Sequence, residues 1–279
     1  MAVLAISFDF RCATSVSKMT LCPATYGIRW VPIHIYSTLY EVIHMADEAT
    51  LLFSGGIDST FDAFHLARRH SRVHLLTFSH GYGQFFMGRA AKRFRELDRH
   101  HQGRYVHHLI SIRETFRSLF VKDLLNATKH LPGFSWCLSC KLAMHAHAII
   151  YCKNNGLSYA VDGSSADTSE MVEQSDLAIA LIQELYKTNS IDFDAPHHSV
   201  PRSQKRDFLK EKGLRLGIRV FDRHIGIQPK CIPGELYYSP YLLCGLPPQH
   251  REDDIKDFVT SRQRRIQDVI DSGMDGGGE

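Results

Sequence analysis

The sequence predicts an α/β fold, a parallel sheet with helices packed on both faces, and three observations carry that prediction. From residue 50 onward, short apolar runs alternate with stretches of helical period, the pattern of strand–helix–strand units. The first run passes to the helix behind it through a diglycine bend, Ser54-Gly55-Gly56-Ile57-Asp58-Ser59. Apolar residues make up 44% of the 279 residues, enough for a sizeable core, with no uncharged apolar run of membrane-spanning length.

Each element has its own justification. Thr50–Phe53 reads as a short buried strand, and Ser59–Arg69 as a helix with Phe61, Phe64, Leu66 and Ala67 as its apolar positions. Val73–Phe78 is a second strand and Phe86–His101 a basic amphipathic helix. Tyr105–Ile110 is a third strand, followed by a helix over Glu114–Leu125 and a loop over Thr128–Trp136. A helix from about Leu138 to Asn154 is stopped by Asn155-Gly156, and Ser158–Val161 is a fourth strand. Helices are then expected over Glu170–Tyr186, Ser203–Lys212 (closed by Gly213) and Asp253–Asp271, before a Gly-rich tail that frays. Met1–His44 shows no sustained period and reads as an extension or as sequence translated from an upstream start.

Charge excludes little. The formal net charge is +3 and charged residues are 23%, ordinary for a water-soluble protein. Basic residues gather over Arg89–Arg104 and Arg202–Arg219, either as solvated helix faces or as a surface for tRNA. No export signal is visible. Seven cysteines in a chain of this length point to a reducing cytoplasm rather than a disulfide framework.

The diglycine bend is the candidate binding loop. A phosphate at a helix N-terminus meets unpaired N–H groups and the positive end of the helix dipole. Gly55 and Gly56 let the backbone approach it, Ser54 and Ser59 add hydroxyl donors, and Asp58 implies either a bridging Mg²⁺ or a helix cap. An ordinary capped turn is the alternative. Asp162-Gly163 ends the fourth strand at the same sheet edge, as a site-lining loop or a simple turn. Asp167, Glu170 and Glu173 are candidate metal ligands, with capping of the following helix as the competing role of the first two. Lys141 is a candidate phosphate partner, and His145 and His147 are candidates for mutation beside the cysteines.

The cysteines carry a second signal. Cys137 and Cys140 stand three apart at a helix start, on one face, where they can chelate a metal or work as a redox pair, and the helix end favours the thiolate. Cys231 is a distant third thiol. Cys12, Cys22 and Cys152 read as bystanders.

The hexapeptide resembles the SGG-x-DS signature of the PP-loop (N-type) ATP pyrophosphatases, and the resemblance covers Thr50–Asp162 best. It implies a Rossmann-like, adenine-nucleotide-alpha-hydrolase-like sheet with a small C-terminal extension. ATP would be held by Ser54, Gly55, Gly56, Ile57, Asp58 and Ser59 with Mg²⁺, with Thr77 and Phe78 beside the adenine and Asp162 and Gly163 lining the site. Cleavage would fall between the α- and β-phosphates. The implied division is 1–44 extension, 45–200 ATP-binding domain, 201–272 substrate and metal region and 273–279 tail. The segment Cys137–Gln174, with its Cys-x-x-Cys-Lys and Asp162-Gly163-Ser164-Ser165-Ala166-Asp167, is similar to sulfur-insertion enzymes acting on a nicotinate-derived cofactor, and two cysteines on a helix with one distant cysteine is similar to the iron–sulfur tRNA thiolation enzymes. There, three thiolates hold a [4Fe–4S] cluster, which maps to Cys137, Cys140 and Cys231. Zn²⁺ with Cys244 or a histidine as fourth ligand is the alternative. Asp58, Ser59, Cys137 and Cys140 would then be the catalytic set. The expected reaction is ATP-dependent sulfur transfer to a tRNA base or a small molecule, fed by a sulfur donor protein, with a homodimer as one option. Thr77-Phe78-Ser79-His80-Gly81-Tyr82-Gly83-Gln84 is also similar to 7-cyano-7-deazaguanine synthase, an amide- and nitrile-forming ligase whose members carry four clustered zinc cysteines. A nucleotide-binding sensor without catalysis is the third reading. Asp58→Ala is expected to remove adenylation and leave the fold intact.

Overall fold

Apolar alternation along two central strands sets the layers of the fold. The computed structural model describes residues 48–125, 135–214, 229–245 and 250–273, all inside the unit Met45–Glu279. The extension 1–44, the predicted loop up to Phe134, the last part of the Arg202–Arg219 cluster and the tail from Met274 lie outside the described residues.

Strand β1 is Ala49–Leu52, followed by helix α1, Ile57–Leu66. Strand β2, Val73–Ser79, leads to a two-residue strand β3, Gln84–Phe85, and to helix α2, Gly88–Asp98. Strand β4 is Tyr105–Ser111 and helix α3 is Arg113–Leu119. Helix α4, Trp136–Asn155, is followed by β5, Tyr159–Asp162, helix α5, Asp176–Thr188, and β6, Asp192–Asp194. Helix α6 is Arg202–Glu211, strand β7 Lys230–Cys231, helix α7 Ile232–Cys244 and helix α8 Glu252–Ser272.

Five strands form one parallel sheet in the order β4-β2-β1-β5-β6. Ala49, Leu51 and Phe53 with Val73 and Leu75 face one core, shared with Phe61 and Phe64 of α1, Leu97 of α2 and Leu209 of α6. Leu52, Leu76 and Phe78 face the other, against α3, α4, α5 and α8. With helices on both faces, these strands are buried on both sides, which is why they read as continuous apolar runs. Helix α4 is buried around most of its circumference, the mark of a helix inside a core, and stops at Gly156 in the left-handed region with φ 66°.

Several expectations need correction, among them the absence of a strand at β6. The helix predicted from Glu170 starts at Asp176, because Ser175 takes the N-cap, accepting from the Ala178 N–H at 3.2 Å. Asp167 caps a different helix, accepting from the Arg202 N–H at 2.6 Å, and Glu170 is exposed. The region after residue 229, where no element was expected, holds β7 and α7, and β7 pairs antiparallel with β3.

Candidate active site

The sheet order reverses between β1 and β5, since β1 is followed in sequence by β2 on one side and flanked by β5 on the other. Chain connections leave in opposite directions at such a point, opening a crevice beyond the strands' carboxyl ends. Register places Leu52 beside Asp162, so the segments after β1 and β5 emerge together. A cavity of ≈ 440 Å³ lies there, a volume within the range of small-ligand sites.

One wall carries Ser54, Asp58 and Ser59, the flanks of the diglycine bend, whereas Gly55, Gly56 and Ile57 do not themselves line the cavity. Gly55 has φ 72°, a conformation glycine adopts without cost, and a Cβ there would stand 3.1 Å from the Ala90 Cα of α2. Gly56 is the N-cap of α1 and no side chain caps that helix. The Ser54 hydroxyl accepts from the Gly56 N–H at 3.2 Å and lies 3.1 Å from the Ser59 hydroxyl. Gly163 approaches the same helix turn: a Cβ on it would sit 2.8 Å from the Ser59 nitrogen. The first N–H groups of α1, which no helix satisfies internally, are thus bordered by glycine on both strand ends.

Asp58 neither caps α1 nor stands free. Its carboxylate accepts from Lys205 Nζ at 3.0 Å and pairs with Arg202 Nε at 3.1 Å. Lys205 is fully buried, so this cation of α6 is one half of an internal ion pair, while Lys210 and Lys212 remain exposed. One turn on, buried Asp62 bonds His197 Nδ1 at 2.5 Å.

Lys141 turns inward from α4 and donates to Asp162 at 2.7 Å and to the Ser164 hydroxyl at 2.7 Å. Burial pushes the Asp162 carboxyl up, but the Lys141 ammonium and the His145 hydrogen bond override it and hold the group well below the usual carboxylate range. Lys141 is therefore the partner of Asp162 in this structure. His145 is fully buried, its Nδ1 against the Tyr186 hydroxyl at 2.9 Å and its Nε2 3.5 Å from the Asp162 carboxylate in the cavity lining, while His147 bonds Thr115 at 2.7 Å as a core histidine. Thr77 and Phe78 line the cavity, with the Thr77 hydroxyl donated to the Phe53 carbonyl at 2.6 Å.

The opposite wall carries the thiols. Cys137, Cys140 and Cys231 all line the cavity, with Gly234 so close that a Cβ there would meet the Cys137 sulfur at 3.1 Å. Among the described residues no set of three or more His, Cys, Asp or Glu stands at metal-holding distances. The helix end does not prevail over burial at these thiols. Burial, reinforced by neighbouring acidic groups, pushes Cys137 and Cys140 up, and burial also raises Cys231. Cys244 is exposed at the far end of α7, about 20 Å along the helix axis from Cys231, and does not serve as a fourth ligand or complete a four-cysteine cluster. Cys152 is buried outside the cavity, against the Thr50 hydroxyl at 3.4 Å.

Sequence reasoning named Glu173 only as one of several acids. The structure sets it in the cavity wall, bonded to the Tyr238 hydroxyl at 2.6 Å. Gln84, Arg206 and Ser165 line the cavity without having been singled out as site residues. Gln84 ends the stretch similar to 7-cyano-7-deazaguanine synthase and Arg206 belongs to the second basic cluster, but only the fold brings them to one cavity.

A family model described as thiamine biosynthesis protein (ThiI) matches residues 44–186, just over half of the chain. No curated protein matches the sequence. Among solved structures, a 4-thiouridine synthetase in complex with RNA and bound ATP aligns with a TM-score of 0.51 and 14% identity, over 81% of this chain and 53% of that one. A predicted subunit of tRNA methyltransferase from Methanocaldococcus jannaschii aligns with a TM-score of 0.41 and 18% identity, over 60% of this chain and 76% of that one. The first likeness is one of fold, and the chain spans about half the length of that synthetase. No helix among the described residues is long and apolar enough to cross a membrane. With the SGGIDS bend at the crevice of a parallel sheet and the family match running through it, the chain belongs to the ThiI family, within the PP-loop ATP pyrophosphatase superfamily.

Proposed function

We propose that the chain is an ATP-dependent sulfur transferase, acting in the cytoplasm on a tRNA base and supplied by a sulfur donor protein. The observation that carries the reading is that one cavity joins an uncapped helix N-terminus to three thiols. In the first step the acceptor's carbonyl oxygen attacks the α-phosphorus, the bond to the β-phosphate breaks, and pyrophosphate leaves. Ser54, Gly55, Gly56, Ile57, Asp58 and Ser59 hold the phosphates: backbone N–H groups and the two hydroxyls donate to the charge that develops on the leaving oxygens. Asp58 acts by fixing α6 to this loop through Lys205 and Arg202. Thr77 and Phe78 border the nucleotide, and Asp162 and Gly163 close the loop side of the site.

In the second step sulfur at the sulfide level attacks the activated carbon, the carbon–oxygen bond breaks, and AMP departs with the acceptor's oxygen. Cys137, Cys140 and Cys231 stand where that sulfur must arrive. Three soft donors on one wall are the ligand chemistry of a [4Fe–4S] cluster rather than of Mg²⁺ or Ca²⁺, and Cys137, Cys140 and Cys231 would hold it after drawing closer than they stand in this structure. Such a cluster, when bound, supplies an iron position open to sulfur. Within this proposal residues 45–200 form the ATP-binding part and 201–272 contribute Lys205, Arg202 and Cys231.

Incubation with ATP, Mg²⁺, unmodified tRNA and sulfide is expected to yield AMP and pyrophosphate in step with thiolated base. Binding of ATP with no turnover under any acceptor would identify a sensor instead. Gly163→Ala is expected to cost about 1–3 kcal/mol of stability, because the methyl meets backbone rather than a yielding side chain. It also covers the Ser59 N–H, so a thermal melt of this variant should lose the upward shift that ATP gives the parent. An unchanged ATP-induced shift would remove the Ser59 amide from the phosphate site.

A further inference from the structure

Outside the cavity, two aromatic rings are exposed where the fold offers no packing reason for them. Strand β3 pairs with β7, and its Gln84 faces the cavity, accepting from the His80 N–H at 2.7 Å and the Ser79 hydroxyl at 3.1 Å. Side chains alternate along a strand. Phe85 therefore turns outward, 37% exposed, and Phe86 follows it at 53%. The rings meet edge to face at 4.9 Å. Phe86 has φ 61°, a left-handed conformation that a bulky residue adopts at a cost, and here no burial offsets it. The Arg89 guanidinium lies 6.0 Å from the Phe86 ring.

Helix α2 continues from this point. Ala90 and Arg93 press on the phosphate loop at Gly55, whereas Lys92, Arg95 and Arg99 lie exposed. None of those three forms an ion pair with a carboxylate among the described residues, and the helix's own acids are engaged, Glu96 with Arg93 and Asp98 with the Gly103 N–H. From Arg89 to Arg99 the cations extend about 15 Å along the axis.

We infer that Phe85 and Phe86 form a stacking platform and that Arg89, Lys92, Arg95 and Arg99 form a phosphate track, which together dock the single-stranded RNA segment carrying the acceptor base beside the cavity mouth. Unpaired cations match a phosphate backbone, and exposed rings with a cation alongside match unstacked bases. An acidic protein would satisfy the cations and leave the rings unused. This surface deepens the sulfur-transfer reading and rests on its RNA acceptor.

Fluorescence anisotropy of a labelled, unmodified tRNA transcript, titrated with the full chain at several salt concentrations, tests it. The double variant Phe85→Ala/Phe86→Ala is expected to bind about ten-fold or more weakly with an unchanged salt slope. The triple variant Lys92→Ala/Arg95→Ala/Arg99→Ala is expected to lower the slope of log K against log salt by about 2. Phe86→Trp should keep the affinity. Phe86→Gly relieves the backbone and should raise Tm by a few degrees while weakening RNA binding, a combination that a packing role would not produce.

Variants that bind like the parent overturn the surface, as does a parent that binds no RNA or binds polyglutamate with the same losses. AMP formation with free nucleoside acceptors, followed in parallel, separates the two claims. AMP made while RNA binding ignores these residues sinks the surface alone. Platform-dependent RNA binding with no AMP from any acceptor supports the surface and sinks the sulfur-transfer reading.

Discussion

Asp58→Ala is expected to lose both ATP turnover and about 3–5 kcal/mol of stability, because it strands a buried ammonium. Lys205 has no exposed surface and sits 3.0 Å from the Asp58 carboxylate, so its charge has no water to return to. Arg202, a third exposed by its side chain, recovers solvent more easily. The loss of turnover is a separate effect, since Asp58 joins α6 to the loop proposed to gather the phosphates. The double variant Asp58→Ala/Lys205→Met separates them. It replaces an ion pair by apolar volume and should regain most of the stability in chemical denaturation while leaving pyrophosphate release lost. Turnover returning together with stability would reduce Asp58 to a structural partner of Lys205.

Serine at Cys137, Cys140 or Cys231 is expected to lower sulfur transfer by more than about 100-fold. Groups that merely support metal ligands already cost 10- to 100-fold when removed, and these thiols would be the ligands themselves. ATP–pyrophosphate exchange should fall far less, because the phosphate loop lies on the opposite wall of the cavity. Cys152→Ala is the control. Cys152 is buried against Thr50 outside the cavity, and its thiol, raised by burial to about 11, takes no part in either step. Equal losses of exchange and transfer in the three serine variants would contradict a division of labour between the walls.

The elements legible in the sequence were those whose signal is local and dense. Strands β1, β2 and β5 are apolar runs covered on both faces or nearly so, β4 is a half-exposed edge strand marked by its β-prone residues, and the ends of all four fall within a residue or two of expectation. Strand β6 escaped because Asp192-Phe193-Asp194 offers one buried residue at a sheet edge. Helix α7 escaped because Pro233, Gly234 and Pro240 break the pattern that would announce it. The same division holds at the site. The SGGIDS bend is contiguous and could be read, and the cysteine pair could be read from its spacing. The Asp58–Lys205 pair joins residues 147 apart, and the Gly163–Ser59 approach depends on strand register, so neither leaves a mark in local composition. That is why Asp58 read as a metal or capping residue, and why its replacement was expected to spare the fold.

The most direct test follows one oxygen atom. A tRNA acceptor whose target carbonyl carries ¹⁸O is incubated with the protein, ATP and sulfide, and the AMP is examined by mass spectrometry. Attack of that oxygen on the α-phosphorus requires the label to appear in the AMP phosphate, one atom for each sulfur gained by the base. Unlabelled AMP, or ADP as the nucleotide product, would contradict activation of the acceptor at this loop.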